Sequence, residues 1–105
     1  MQTEHHRARR YSFQAYVELT DLESETPTRV RTSNISLFGC HVESPNPLAP
    51  GAKVSVSIAH AAENFRALGR VAYAQPGVGM GIVFTTIQPS DQLVLEEWVD
   101  ELRTK

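Results

Sequence analysis

Phe65-Arg-Ala-Leu-Gly-Arg-Val-Ala-Tyr-Ala-Gln-Pro-Gly-Val-Gly-Met-Gly-Ile-Val-Phe-Thr85 holds two strand-like runs around one turn. Residues 65–74 read as a long strand, Pro76-Gly77 closes a hairpin, and residues 79–85 return as its partner. Upstream, Val54, Val56 and Ile58 alternate with Lys53, Ser55 and Ser57 in a short amphipathic strand. Residues 59–64 between them are expected to form a loop or a brief helical turn. Residues 44–51 carry three prolines and a glycine, which excludes regular structure.

Before that loop, Gly39 marks a tight turn. Cys40 and Val42 beyond it face one way, and His41 and Glu43 the other. Residues 29–35 form a further strand whose alternation slips between Val30 and Ile35; a bulge or bend restores it. Residues 21–27 are acidic and polar and include a proline, so they read as a loop. Residues 13–19 put Phe13, Ala15, Val17 and Leu19 on one side of a first strand. About six strands with a turn signal every 8–12 residues predict a small antiparallel barrel or sandwich.

The end of the chain changes period. Pro89 opens a helix over about 89–103, with Asp91 near its positive end and Arg103 and Lys105 at its negative end. Leu95, Trp98, Val99 and Leu102 make one apolar stripe opposite Glu96, Glu97, Asp100 and Glu101. Such a helix is marginal alone and must pack Trp98 onto the strands.

Composition narrows the function classes. The 105 residues are 41% hydrophobic and 21% charged, which suits one globular domain. No run is long and apolar enough for a membrane helix, and the first residues have no signal-peptide core, so a cytoplasmic domain without membrane insertion is expected. One cysteine, Cys40, excludes an internal disulfide and any multi-cysteine zinc site. No metal-ligand spacing links His5, His6, His41 and His60, and no nucleophile–base or paired-carboxylate arrangement appears; an enzyme is not expected.

The net charge of −2 is unevenly spread. Residues 1–10 contain three arginines and one glutamate and read as a flexible basic segment before a domain spanning 11–105. The acidic remainder argues against a nucleic-acid polymer, which demands many phosphate contacts. A concentrated cluster of arginines suits a small anion, because guanidinium forks grip phosphate bidentately and stack on bases. Farther on, Asn34 and Ser36 are expected on the same outer face with His41 opposite. An amide and a hydroxyl there match the donors and acceptors of a base edge, and Gly39 leaves room for close approach.

Arg7, Arg9 and Arg10 before the first strand, followed by Asn34-x-Ser36-x-x-Gly39 between the second and third, resemble the PilZ family of bacterial cyclic di-GMP receptors. That family carries an R-x-x-x-R segment and a [DN]-x-S-x-x-G motif at these places. The run from Gly77 to Phe84 and the helix from Pro89 resemble its last strand and closing helix, so the resemblance spans nearly the whole chain. It implies a six-stranded antiparallel PilZ-like β-barrel with a C-terminal helix. It also implies a stand-alone receptor, a monomer or weak homodimer, that changes its contacts with a downstream protein when cyclic di-GMP binds. No further cofactor is implied. The ligand residues carried over are His6, Arg7, Arg9, Arg10, Asn34, Ser36, Gly39 and His41.

One position departs from the pattern. Four residues before Arg10 stands His6, whose imidazole cannot form the guanidinium fork. Arg7 and Arg9 are the candidates to replace it, at a cost of about 10- to 100-fold in affinity if neither does. The alternative function is a degenerate PilZ-like adaptor that binds protein and no cyclic di-GMP.

Overall fold

The computed structural model describes residues 9–105. Among them are seven strands and one helix: β1 (Tyr11–Ser12), β2 (Tyr16–Asp21), β3 (Thr26–Ile35), β4 (Gly39–Glu43), β5 (Lys53–His60), β6 (Glu63–Gln75), β7 (Gly79–Thr86) and α1 (Pro89–Arg103). All strand pairings are antiparallel, in the order β1-β3-β2-β5-β6-β7-β4, and a β3–β4 pairing closes the sheet on itself. The result is a six-stranded barrel in which β1 and β2 share one edge of β3. Closure leaves no long unpaired edge.

The expected single strand over residues 13–19 is broken. Phe13 and Ala15 are buried as anticipated, but the chain leaves the ladder between β1 and β2. The cause lies across the pair, in Thr32. Its hydroxyl, 1% exposed, donates to the Phe13 carbonyl at 2.7 Å and accepts from the Ala15 N–H at 2.9 Å. A side chain thus satisfies backbone groups that a regular ladder would have paired. The register of β3 against β4 shifts between Thr32 and Asn34, which is the irregularity anticipated from the slipped alternation.

Two loops are shorter than expected. Only residues 22–25 turn between β2 and β3, so Thr26 to Thr28 already pair with Leu19 to Asp21. Residues 59–64 are not a loop or helical turn: β5 runs through His60, β6 starts at Glu63, and Ala61 and Ala62 alone make the turn. Both have positive φ, 53° and 65°, the left-handed pair that two-residue hairpins favour. At the next hairpin Pro76 precedes Gly77 at φ +79°, and the Val78 N–H donates to the Gln75 carbonyl at 2.9 Å, a type II turn.

Inside the barrel lie Val17, Ile35, Cys40, Val42, Val54, Val56, Ile58, Phe65, Val71, Met80 and Ile82. The helix closes this core with Leu95, Trp98 and Val99, all buried, while Leu102 is half-buried. Trp98 packs among Phe13, His60 and Phe65, at ring-centroid distances of 5.6, 5.3 and 6.3 Å. Asp91 does more than complement the helix dipole: its Oδ1 accepts the Arg66 backbone N–H at 2.9 Å and pins the first turn to β6. No helix among the described residues is long and apolar enough to cross a membrane.

Candidate ligand site on the barrel wall

The β3–β4 turn is built by Ser36. Its N–H donates to the Gly39 carbonyl at 2.8 Å, and its hydroxyl accepts the N–H groups of Phe38 and Gly39 at 3.1 and 3.2 Å. A short polar side chain that takes up two turn amides is what this tip requires, because Leu37 and Phe38 supply no such acceptor. Ser36 is therefore buried, 3% exposed, and does not share the outer face with Asn34 as the two-residue spacing had implied. It lies one residue past the end of β3, where strand alternation no longer applies.

Gly39 is likewise taken up by the fold. A Cβ there would lie 2.1 Å from the Ile82 carbonyl oxygen, so β7 occupies the space that a side chain would need. The Phe84 N–H donates to the Phe38 carbonyl at 2.8 Å beside it. The serine and the glycine of the motif thus hold the hairpin tip against β7, and Asn34 stands on the outside.

Arg10 meets Asn34 there. Its Nη1 donates to Asn34 Oδ1 at 2.9 Å across 24 residues of chain. Asn34 lies in β3 and Arg10 immediately precedes β1, and the β1–β3 ladder brings them together, since Tyr11 pairs with Ile35 and Ser12 with Asn34. Arg10 is exposed and spends one of its five guanidinium donors on this bond. Arg9 lies over the Tyr11 ring, 5.7 Å from its centroid. His6 and Arg7 lie outside the described residues.

His41 pairs directly with Asn34 across β3 and β4. Its Nδ1 and the Ser33 hydroxyl are hydrogen-bonded at 2.8 Å, and its ring stacks with Tyr73 at 6.1 Å and 28°. Tyr73 escaped the sequence reading. The available signal was the Gly79-x-Gly81 pair. In the fold those two glycines make room for rings: Cβ atoms there would lie 2.9 Å from His41 Cε1 and 2.2 Å from Tyr73 Cε2. The β6–β7 register also shifts between Val71 and Tyr73.

Cys40, between Gly39 and His41, points into the core and is fully buried. Burial pushes its thiol up to about 12, against a small opposing pull from the Arg10 charge, so it carries no thiolate chemistry near neutrality. Among the described residues, no three His, Cys, Asp or Glu side chains gather where they could hold a metal ion.

The PilZ domain family profile matches residues 2–101. The chain belongs to the PilZ domain family. Three solved structures share its fold at low sequence identity. The PilZ domain of CeSA from a cellulose-synthesizing bacterium is 18% identical, with 91% of this chain and 99% of that chain covered and a TM-score of 0.71. The PilZ domain of YcgR from Escherichia coli, solved with c-di-GMP, is 17% identical over 93% and 91% of the two chains, TM-score 0.74. The Bacillus subtilis inhibitor of motility MotI/DgrA is 17% identical with a TM-score of 0.75; 93% of this chain covers 51% of that one. No curated protein matches the sequence.

Proposed function

We propose that this PilZ domain is a receptor for cyclic di-GMP, which binds on the outer wall beside the β3–β4 turn. The observation that carries the reading is the Arg10–Asn34 hydrogen bond, where the basic segment and the N-x-S-x-x-G motif meet. Membership of the PilZ family, and the c-di-GMP in the structure of the YcgR domain, support the same ligand.

The chemistry follows from the groups in place. Arg10 grips a phosphate with the donors that Asn34 leaves free and stacks its guanidinium on a guanine. Arg7 or Arg9 adds the second cation that His6 withholds. The Asn34 carboxamide, an acceptor and a donor on one plane, reads a guanine edge. Ser36 and Gly39 act through the turn, by holding Asn34 and the hairpin tip in position. Pre-setting Arg10 against Asn34 lowers the ordering cost of binding. Ligand bound across β1, β3 and β4 gives the wall a new charge and shape for a downstream protein to read, and the domain acts as a stand-alone effector.

Thermal unfolding tests this cheaply. Ligand at 100 times its dissociation constant adds about 2.7 kcal/mol, a rise of about 10 °C for a domain of this size. A rise with cyclic di-GMP and none with GMP is expected. No rise with either overturns the receptor reading in favour of a ligand-free adaptor.

A further inference from the structure

The inner face of the barrel changes character at the end away from α1. Along β2 the inward residues run Val17, Leu19, Asp21, and their partners on β3 run Val30, Thr28, Thr26. Val17 and Val30 belong to the core, whereas the last two pairs bring two threonines and a carboxylate to the rim. Between this rim and the 44–51 loop lies a cavity of about 200 Å³. Leu19, Val30 and Met80, all buried, form its apolar side, and half-buried Leu48 borders it from the loop. We infer that this cavity binds a small primary amine whose apolar body is about one ring in size. The inference does not rest on the receptor reading, because the cavity is continuous with the barrel interior and Arg10 and Asn34 meet on the outer wall.

Size sets the apolar part of the ligand. A cavity of about 150 Å³ is enough for benzene, so this one takes a single ring with a short arm. Charge sets the head group. Asp21 is the one ionisable side chain among the described residues that line the space, and no cationic side chain stands with it. Its Oδ1 accepts the Glu23 N–H at 3.1 Å, and its Oδ2 accepts the Ser24 hydroxyl at 3.1 Å. Those bonds orient the carboxylate and leave about half of its four acceptor positions for a donor arriving from the cavity. Ser44 supplies a second polar group. It borders the same space, is 7% exposed, and its N–H is spent on the Val78 carbonyl at 3.0 Å. Its hydroxyl makes no hydrogen bond to any described residue, and a buried hydroxyl is costly until a partner reaches it. An ammonium group carries three donors, enough for Asp21 and Ser44 together. Apolar walls with a few polar groups at a barrel end suit a small-molecule site, and the other end is filled by Trp98 against Phe13, His60 and Phe65.

An Asp21 that served only the β2–β3 turn would not tell an amine from its neutral isostere. Benzylamine and benzyl alcohol are titrated into isotopically labelled wild type, Asp21→Asn and Thr28→Phe, with backbone amide signals followed by NMR. The asparagine keeps an acceptor for the turn and removes the charge; the phenylalanine fills the rim from an exposed position. Expected in wild type are saturable shifts at Leu19, Val30, Ser44 and Met80, with the amine bound about ten-fold tighter than the alcohol, or more. Asp21→Asn should bring the two ligands within about two-fold of each other, and Thr28→Phe should abolish saturation. Wild type that shows no saturable shift at those residues, or binds amine and alcohol alike, overturns the inference. So does an Asp21→Asn that keeps the full preference, or a Thr28→Phe that still saturates. Should one variant fail to fold, the wild-type comparison of amine with alcohol decides together with the other variant.

Discussion

Gly39 and Ser36 carry the same lesson from two sides. A glycine beside a proposed ligand site invites the reading that ligand needs the space, yet here the Ile82 carbonyl fills it. Gly39→Ala is expected to destabilise the domain by about 1–3 kcal/mol, because backbone must move to admit a methyl group. Urea unfolding checks this, and a neutral result would show that the β4–β7 contact is looser than described. Ser36 read as an outward-facing hydroxyl, and it is buried in the turn. Strand alternation predicts an outward side chain only while the strand continues, and β3 ends at Ile35. Asn34 and Arg10 were legible because residues 11–12 and 34–35 do continue the ladder.

A second prediction at the same scale concerns charge. The Glu97 carboxyl on the helix is held above the usual carboxylate range, first by a hydrogen bond with the Glu63 carboxyl and then by repulsion from it. A raised value means that the protonated form is favoured in the fold. Its stabilising contribution is present below the ordinary glutamate value and lost as pH rises through the folded one. Glu97→Gln is therefore expected to melt higher than wild type at pH 7, with the advantage shrinking toward pH 4. Equal melting temperatures at pH 7 would contradict the pairing. The site is exposed, so added salt should shrink the effect.

Among the elements, the long β6–β7 hairpin and α1 were readable because alternation, a Pro-Gly turn and a helical stripe each ran long enough to be unambiguous. The β5–β6 hairpin was not, since its turn is Ala61-Ala62 and nothing in two alanines announces positive φ. The break between β1 and β2 was hidden for another reason. Phe13, Ala15, Val17 and Leu19 keep perfect alternation, and the cause of the break is a hydroxyl on a different strand, Thr32. Local pattern cannot report a distant hydrogen bond. The alanine turn yields its own prediction. Each alanine pays for a left-handed backbone that asparagine and glycine adopt readily, so replacing the pair with Asn-Gly should stabilise the domain by about 1 kcal/mol. Thermal or denaturant melts check the value, and a loss of stability would mean that the turn is not of the type described.

Over the whole molecule, barrel closure joins local hairpins into one continuous outer wall. The β3–β4 pairing joins the two ends of the sheet, and only then do residues from β1, β3, β4, β6 and β7 fall on one line. The same closure puts the acidic helix face, with Glu96, Glu97 and Asp100, on an element other than those strands, so the mild overall negative charge does not describe the wall around Arg9 and Arg10. Net charge did not describe that wall, whereas the place of Arg10 just before the first strand did put it beside Asn34. Isothermal titration of cyclic di-GMP into wild type and Arg10→Ala tests the central claim most directly. Saturable heat in wild type, with binding about 10- to 100-fold weaker in the variant, is the expected result; wild-type heat that never saturates, or equal binding by the two proteins, would contradict it.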